Sequence, residues 1–508
     1  MAALSQENRY FHFDSPLGPD KLLISEFQWE EKISGLFKGN LVLVSEDFDI
    51  DPADILQRNV SAGVQRIDGS FRWFNGHVSV FRQIHRPGRL AYYEAEIVPW
   101  LWFLTLTSDC YIHQDLTVPK IIEWIFQAYD FADFDMSKLT GSHEEWKYCC
   151  QYRETAFEFV SRLMESEGIY YFFQHERGKH TMQMLDKYTL HPPCSSNARF
   201  RFEKSLGPGY SRNEETVMSW NSTRKTVSAS LMYRDFDDDH PDDMMEVAFP
   251  TTQEPPLSPK FKTYDYPGEY EEHQEGTDWI QMRAEEEDSD HDTAAGTSCC
   301  PTMSAGYRFD FTGYLREDQN KNWMITSVTH RGKEGSFYAG TDAQEGTYEN
   351  SFTAMPSDRQ YRPPLDTPKA IMRGAQTAKV VGPPGEEIYT NKRGEVKVRF
   401  HWDRDTTSKT DANCTCWIRT MQPLAGPGFG HIWLPRIGQE VIVDFLEGDP
   451  DRPIITGVVY NADNLPPVDL EKDASRSGIK TRSTKGGESE NANELWFEDK
   501  RGQEQIIL

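Results

Sequence analysis

The feature that most restricts the fold of this chain is a pair of apolar runs near its C-terminal end. Residues 428–461 read GFGHIWLPRIGQEVIVDFLEGDPDRPIITGVVYN. Val441, Val443 and Phe445 fall on one face of the first run and apolar residues also occur on the other face. Strands covered on both faces are typical of a closed barrel, so the pattern predicts a small β-barrel here.

The turn between these runs carries Glu447, Asp449, Asp451 and Arg452, and such a group could do chemistry or only reverse the chain. Glycine and proline residues bend the chain at this point, and aspartate side chains can accept hydrogen bonds from main-chain amides of the same turn. This explains the composition without any reaction. We therefore interpret the acidic turn as structural.

Short alternating or apolar segments separated by Gly, Pro and Asp clusters recur through most of the chain, which predicts a mainly β protein. They include NLVLVSED, FNGHVSVFRQI and YYEAEIVPWLWFLTL before residue 107, and ETVMSWN, GYRFDFTGYL and WMITSVTHRG between residues 214 and 348. The Pro-rich stretch MPSDRQYRPPLDTPK is typical of a linker. A chain of 508 residues is expected to form several domains.

Helical periodicity is confined to a small α/β region between these strand-rich parts. In DLTVPKIIEWIFQAYDF, Thr117 can cap a helix whose apolar residues recur from Ile121 to Tyr129. In QYRETAFEFVSRLMESEGIYYFF, a second helix ends near Gly168 and a strand follows. The residues expected on the apolar face of this second helix are Phe157, Val160, Leu163 and Met164.

The charge of the chain excludes two classes of partner. Lysine and arginine number 54 against 81 acidic residues, giving a net charge of −27. Nucleic acid and anionic membranes attract basic surfaces, so we expect neither to bind, although KVRFHW has some basic and aromatic character. The longest apolar stretch, from Ile97, contains a proline and is shorter than the ~18 residues of a membrane helix.

The N-terminal sequence MAALSQENRYFHFD has neither the basic leader nor the apolar core of a secretory signal. We therefore expect synthesis and folding in the cytoplasm. The eight cysteines form two adjacent pairs, one C-x-C and two single residues, which is not the spaced array of a structural zinc site. We expect reduced, mostly buried thiols.

Three charged clusters could suggest chemistry, and each has a plainer interpretation. DFDDDHPDD, at residues 235–243, has carboxylates for a cation such as Ca²⁺, but the spacing is not that of an EF-hand and we expect a solvated loop. AEEEDSDHD, at residues 284–292, is interpreted as a solvent-facing charge run. HWDRD, at residues 401–405, is interpreted as a strand-end turn, because no Ser or Cys nucleophile lies beside it. We predict no catalytic residue, no cofactor and no metal site.

Long segments of the chain, in order, resemble one family. QTAKVVGPPGEEIYTNKRGEVKVRFHWDRD and CWIRTMQPLAGPGFGHIWLPRIGQEVIVDFLEGDPDRPIITGVVYNA resemble the oligonucleotide/oligosaccharide-binding (OB) type barrel of valine-glycine repeat protein G (VgrG), the spike of bacterial type VI secretion systems. SPLGPDKLLI, IVPWLWFLTL, DLTVPKIIEWIF and RETAFEFVSRLMESEGIYYFF resemble the hub region of the same family. The resemblance covers residues from about 10 to 505.

The resemblance implies a non-enzymatic homotrimer related to the hub and spike proteins of contractile phage tails. Its hub would dock on the hexameric tube protein Hcp, its needle would carry a PAAR-repeat protein with effectors and their adaptors, and baseplate components would surround it. Such a protein waits in the cytoplasm and leaves through the type VI system. The implied segments are hub β-barrel 1 at 1–107, an α/β hub subdomain at 108–209, hub β-barrel 2 at 210–350, a linker at 351–371, an OB-type barrel at 372–462, and a linker with the start of a β-prism needle at 463–508.

At its C-terminal end the sequence departs from the family pattern. ELWFEDKRGQEQIIL begins a needle, yet no succession of Val/Ile-Gly repeats follows before Leu508. An apolar strand there would leave an unpaired edge, so we expect a truncated needle. Two alternatives stay open: the spike of a phage tail or extracellular contractile injector, and a spike whose toxin domain lies beyond Leu508. The 32 residues between Asn461 and Glu494 are fewer than the ~50 of a small domain, which argues against a toxin domain at that point.

Overall fold

A computed structural model describes residues 4–86, 88–195, 198–203, 214–251, 260–337, 346–405 and 410–508. The chain divides into two compact units. The first unit consists of Met1–Thr107, Ile122–His143 and Ala156–Pro368, and the second of Ser108–Ile121, Glu144–Thr155 and Lys369–Leu508. The residue boundaries of the six segments drawn from the sequence stay predictions.

Strands dominate both units. In the N-terminal part they are β1 (Phe11–Asp14), β2 (Leu23–Lys32), β3 (Lys38–Ser45), β4 (Asn59–Gln65), β5 (Phe71–Ile84), β6 (Ala91–Val98), β7 (Ser108–His113), β8 (Leu116–Thr117), β9 (Phe134–Lys138), β10 (Glu145–Trp146), β11 (Cys149–Thr155), β12 (Tyr170–Glu176), β13 (Lys179–Leu185) and β14 (Arg199–Phe202). They continue as β15 (Thr216–Arg224), β16 (Ser230–Asp235), β17 (Met245–Pro250), β18 (Lys262–Asp265), β19 (Asp292–Ser298), β20 (Arg308–Thr312), β21 (Asn322–Lys333) and β22 (Thr347–Pro356). The remaining strands are β23 (Gln376–Val381), β24 (Lys397–Phe400), β25 (Ala425–Gly426), β26 (Phe429–Gly430), β27 (Glu440–Phe445), β28 (Pro453–Val459), β29 (Arg476–Lys480), β30 (Glu494–Glu498) and β31 (Gln505–Ile507).

Helices are few within the described residues. The α-helices are α1 (Val118–Gln127), α2 (Ala156–Ser166) and α3 (His273–Ser289). Short 3-10 helices span Pro52–Asp54, Trp100–Leu106, Tyr188–Leu190, Glu317–Gln319, Asp411–Asn413 and Leu446–Gly448. In the part of the chain that the structure describes, no helix combines the length and the apolar character that crossing a membrane requires.

Twelve strands of the first unit form one sheet, in the order β1-β4-β5-β6-β3-β2-β21-β20-β14-β15-β19-β22. Because β21 also pairs with β22, the last six strands of this order close into a barrel. The first six strands curl so that β1 returns towards β2, where the rings of Phe11 and Phe27 stack with centroids 5.5 Å apart. The predicted mainly β fold is confirmed.

The core of the first unit also holds a buried polar cluster. Glu31 of β2 lies 3.8 Å from the guanidinium of Arg72 and 3.6 Å from Nε2 of His175. Arg72 also donates a 2.6 Å hydrogen bond to the hydroxyl of Ser304. His330, on β21, is completely buried. Burial, opposed by Arg72, raises the pKa of the Glu31 carboxyl to about 7, and burial lowers the pKa of His175 and of His330 well below the usual value.

The predicted helices are present at the expected places. Thr117 accepts a 3.4 Å hydrogen bond from the amide of Lys120 at the start of α1, and Gly168 adopts φ +64° after α2. One detail differs, because Phe157 is half-buried whereas Phe159 is fully buried. α2 begins at Ala156, so Phe159 lies one turn before Leu163 and shares its buried face.

The acidic run at residues 284–292 was expected to be a solvent-facing charge run, and this expectation is wrong, because most of these residues are buried or half-buried. Residues 284–289 belong to α3, which packs Ile280 and Ala284 on Leu231 and Val247. Glu272 and Glu275 form a capping box at its start.

Several charges of this run have partners. Arg283 pairs with Glu286 at 2.7 Å, and Asp292 is buried within 4 Å of three cations: Arg224, Lys321 and Arg359. The run therefore belongs to the structural framework of the first unit.

The segment after β22 is fastened to the first unit by side chains. Arg362 donates to Glu285 at 2.7 Å and to the carbonyl oxygens of Gly168 and Asp186 at 3.0 and 3.1 Å. Thr367 donates its amide and its hydroxyl to the carboxylate of Glu165 at 2.9 and 2.7 Å. Composition alone suggested a free linker, but these residues are held against α2 and α3.

The second unit contains the predicted small barrel. Its sheet has the order β24-β23-β27-β28, and bridges from Ile418 to Val396 and from Thr420 to Ile455 join its two edges. Buried residues of β27 fill the interior, as predicted from the alternation: Val441, Val443 and Phe445. Ile112 of β7 and Cys150 of β11 belong to the same core. Sequence proximity had placed both strands with the α/β region, and their packing here was not predicted.

Candidate assembly surfaces

The acidic turn that follows β27 is built as a clasp. Asp449 accepts a 2.9 Å hydrogen bond from the amide of Asp451, as the turn composition predicts. Lys369 bridges the carboxylates of Asp449 and Asp451 at 2.8 and 3.0 Å. The second carboxylate also accepts a 2.6 Å hydrogen bond from the amide of Cys150. These contacts join three separate segments of the second unit, which is a structural task.

Replacing Asp451 with alanine is expected to lower the free energy of unfolding of the second unit by about 1–3 kcal/mol, because the amide of Cys150 loses its buried acceptor. Urea unfolding followed by circular dichroism measures this. Glu447→Gln, a change at the exposed residue of the same turn, is the matched control and is expected to have little effect. Equal stability of the two variants would contradict the clasp.

The needle segment presents an apolar face that the single chain leaves uncovered. β29, β30 and β31 form an antiparallel sheet in which Ser477, Phe497 and Ile506 lie side by side. Ile479 lies on the same face two residues further along β29. The exposed fractions of Phe497 and Ile506 are 41% and 68%. Exposed apolar side chains grouped on one face mark interaction sites, so this face is a candidate contact surface.

A second exposed apolar region surrounds the β25–β26 hairpin. Large apolar side chains exposed there are Met421, Leu424, Phe429, Ile432 and Trp433. No Asp or Glu occurs from residue 412 to residue 439 in this otherwise acidic chain. That gap is a sequence signal for a contact surface, and sequence reasoning missed it.

The two units carry very different charges. The first unit has 55 Asp and Glu against 32 Lys and Arg, a net charge of −23. The second has 26 against 22, a net charge of −4. Copies of the chain would therefore repel one another through their first units and hardly at all through their second units.

The other clusters singled out from the sequence are held by hydrogen bonds within their own units. Within residues 235–243, Asp237 accepts a hydrogen bond from His240, and Asp235 is buried and accepts from the amide of Glu269 at 2.6 Å. The His401–Asp405 segment follows β24 as a turn, where Asp405 accepts a 2.8 Å hydrogen bond from the hydroxyl of Tyr111. Among the described residues, no three His, Cys, Asp or Glu side chains are grouped as metal ligands.

The cysteines are reduced thiols: Cys149, Cys150, Cys300 and Cys414 are buried, and Cys110, Cys194, Cys299 and Cys416 are half-buried. Burial raises the pKa of Cys414 to about 11 and that of Cys416 to about 12. A raised pKa keeps a thiol protonated and unreactive at neutral pH.

Three family models match consecutive parts of the chain. The phage tail baseplate hub model matches residues 30–336, the type VI secretion system/phage-baseplate injector OB domain matches residues 387–460, and the bacteriophage T4 gp5 C-terminal trimerisation domain matches residues 477–508. The type VI secretion system spike protein VgrG1a of Pseudomonas aeruginosa is 40% identical over 99% of this chain and 77% of its own length.

The chain belongs to the VgrG family of type VI secretion spike proteins. The actin cross-linking toxin VgrG1 of Vibrio cholerae is 33% identical over 89% of this chain, which covers 40% of that protein. The solved structure of the E. coli c3393 protein, a type VI secretion component described as similar to T4 tail proteins gp27 and gp5, matches 88% of this chain and 99% of its own with a TM-score of 0.61 and 21% identity. The resemblance to VgrG, the hub-type fold and the OB-type barrel predicted from the sequence are confirmed.

Proposed function

We propose that this VgrG chain is one subunit of a homotrimeric, membrane-puncturing spike. The observation that carries the proposal is the uncovered apolar face of the needle sheet, which lies in the segment matched by a trimerisation domain. Each Å² of apolar surface buried between copies contributes ~25 cal/mol before the costs of association. The near-neutral second unit lets three copies converge without strong repulsion.

If the needle face is the trimer contact, the chain has a solution mass three times its 58.6 kDa, and Phe497→Asp reduces the mass to that of a monomer. The reason is that each buried carboxylate would have to be desolvated in the interface. Light scattering coupled to size exclusion at micromolar concentration measures both.

Leu315→Asp is the matched control, because Leu315 is 93% exposed on the first unit, and its mass should stay that of the trimer. A monomeric parent chain, or a trimer that survives Phe497→Asp, would contradict the proposal. Circular dichroism spectra that coincide for all three proteins exclude misfolding as the cause.

We infer that the hub meets the Hcp tube. The closed six-stranded barrel and the curled six-stranded sheet give each chain two similar β parts, so three chains would present six to a hexameric ring. The needle would carry a PAAR-repeat protein with effectors and adaptors, and baseplate components would surround the hub. The spike would assemble in the cytoplasm and leave through the type VI system into a target cell or the medium.

The proposed role within residues 1–508 is mechanical and not enzymatic. The clasp, the buried acidic residues and the thiols all have structural partners or lie in the core. The alternative of a toxin domain beyond Leu508 is supported by the toxin relative, whose matched part is 40% of its length. A phage or extracellular injector spike is the other alternative, and the genes beside this one distinguish it from a secretion spike.

A further inference from the structure

A small acidic subdomain interrupts the closed barrel of the first unit between β15 and β19. It spans residues 229–290 and consists of the sheet β17-β16-β18 with α3 packed on one face. It contains 19 Asp and Glu and only four Lys and Arg, so it carries −15 of the chain's net charge of −27. Barrel closure does not require this subdomain, because β15 pairs directly with β19.

One edge of this sheet is open and the other is protected. At the β17 edge, Pro250 has no amide hydrogen, and the amide of Glu246 bonds back to the carbonyl oxygen of Met244 at 2.9 Å. β18 forms the opposite edge, and every residue from Lys262 to Asp265 is exposed. Among the described residues, β16 is the only strand that pairs with β18.

The main-chain groups of β18 alternate in direction. The carbonyl oxygen of Phe261 accepts a 2.7 Å hydrogen bond from the amide of Ala229, next to β16. Alternation along the strand then turns the amides and carbonyls of Thr263 and Asp265 towards β16, and those of Lys262 and Tyr264 towards the open edge. An open row of this kind is a template for one more strand.

Aromatic side chains accompany this edge. Phe261, Tyr264 and Tyr266 are 44%, 57% and 52% exposed. Tyr264 pairs with Met232 of β16, and Met232 pairs with the exposed Ala248 of β17. This row lies on the face opposite to α3, because Leu231 and Tyr233 contact the helix. An added strand would extend the row with its own apolar side chains.

We propose that β18 is a docking edge for a basic, extended segment of a partner protein, which adds as a fourth strand. The charge of the subdomain decides between possible occupants. A second copy would bring another −15 to the same place, whereas lysines and arginines of a basic segment are attracted to it. The apolar residues of that segment would lie beside Tyr264, and its main chain would bond Lys262 and Tyr264.

The test uses the full chain and a fluorescein-labelled peptide of about nine residues in which Lys and Val alternate, with binding followed by fluorescence anisotropy. Tyr264→Pro removes an outward amide and leaves the bonds to β16, a position where proline is tolerated in an edge strand. We expect it to weaken binding about tenfold or more. Phe48→Ser, which removes an aromatic side chain 52% exposed elsewhere on the first unit, should leave binding unchanged.

A peptide in which Pro replaces Val has the same charge and cannot pair as a strand. It should bind about tenfold more weakly than the Lys-Val peptide, a difference that should persist when salt is raised from about 50 to about 300 mM. Equal binding of the two peptides would show attraction by charge only and would overturn the proposal. So would unchanged binding by Tyr264→Pro, or self-association of the parent chain that Tyr264→Pro abolishes. Circular dichroism spectra and thermal midpoints that match those of the parent chain would show that the variants are folded.

Discussion

Arg72→Met is expected to lower the free energy of unfolding of the first unit by about 2–3 kcal/mol, since buried acceptors lose their charged hydrogen-bond donor. Glu31 is the group left behind. Its exposed fraction is 7%, and among the described residues no hydrogen bond reaches its Oε1 atom. The hydroxyl of Ser304 also loses its guanidinium donor. Urea unfolding at pH 7, monitored by tryptophan fluorescence, measures the effect.

The matched control is Arg82→Met, at a solvent-facing position further along the same strand, β5. Arg82 pairs with Glu94, but its side chain is 68% exposed, so the change should cost under about 1 kcal/mol. The double variant Glu31→Gln with Arg72→Met should recover part of the loss, because no charge is then buried alone. Equal losses for Arg72→Met and Arg82→Met would show that the cluster contributes nothing beyond a surface pair.

Acid is expected to destabilise the first unit well before carboxylates outside the core are protonated. Burial lowers the pKa of His180 to about 3 and that of His191 to about 4, and lowers those of His175 and His330 well below the usual value. Histidines held neutral give stability that is present above pH 6.5 and is lost as the pH falls towards the folded pKa. Each proton taken up on unfolding costs ~1.4 kcal/mol per pH unit in this window.

Carboxyl and histidine groups with a raised pKa act in the opposite direction without cancelling the effect: Glu31, His143, Glu165, Glu275, Glu286 and His240. The folded pKa of Glu31 is raised to about 7, so its contribution is full below pH 4.5 and is lost as the pH rises through 7. The pKa of His143 is raised to about 9, against the effect of burial, by two carboxylates: Glu167 lies 2.8 Å from Nδ1 and Asp186 lies 3.7 Å from Nε2. The contribution of His143 to the free energy of unfolding is complete below pH 6.5 and does not change between pH 6.5 and 4.5. The buried neutral histidines therefore determine the sign between pH 6.5 and 4.5.

Urea unfolding at several values between pH 4.5 and 7.5 checks this expectation. His191→Gln should reduce the slope by about one proton, because a glutamine side chain does not titrate. Its amide can still donate to the carbonyl oxygen of Gly306 and accept from the hydroxyl of Tyr170. His240→Gln is the control: His240 is exposed, its pKa is raised by Asp237, and its loss should not reduce the acid dependence. A stability that stays level down to pH 4.5 would contradict the prediction.

Local patterns predicted the parts of the fold that rest on local chemistry. The alternation in β27 identified Val441, Val443 and Phe445 as core, and helical spacing located α1 and α2. α3 was missed because its apolar contacts are few and lie within an acidic run: Ile280, Ala284 and the partly buried Trp279. These residues pack on a sheet formed by a different part of the chain. The cluster of Glu31, Arg72, His175 and His330 could not be predicted, since four separate strands bring it together.

The sequence could predict that the chain assembles, but not which residues form the candidate assembly surfaces. Resemblance to a known family supplied the expectation of a trimer, whereas the exposed positions Phe497 and Ile506 could be identified only once strand register fixed which side chains share a face. The Lys369 clasp was likewise invisible, because Lys369 lies far in sequence from the two aspartates that it bridges. Turn composition predicted the hydrogen bond between the amide of Asp451 and Asp449, but it did not predict the ion pairs of Lys369.

Arg362 and Thr367 determine through which contacts a mechanical load on the chain would be transmitted to the first unit. Tension applied beyond Pro368 would reach the pair formed by Thr367 and Glu165 first, and then the three bonds of the Arg362 guanidinium, before any strand of the barrel. The anchoring groups belong to α2, α3 and the ends of two loops, so the load would spread over several elements at once. The load would therefore not break the hydrogen bonds between β22 and β21 one pair at a time at the edge where the barrel closes.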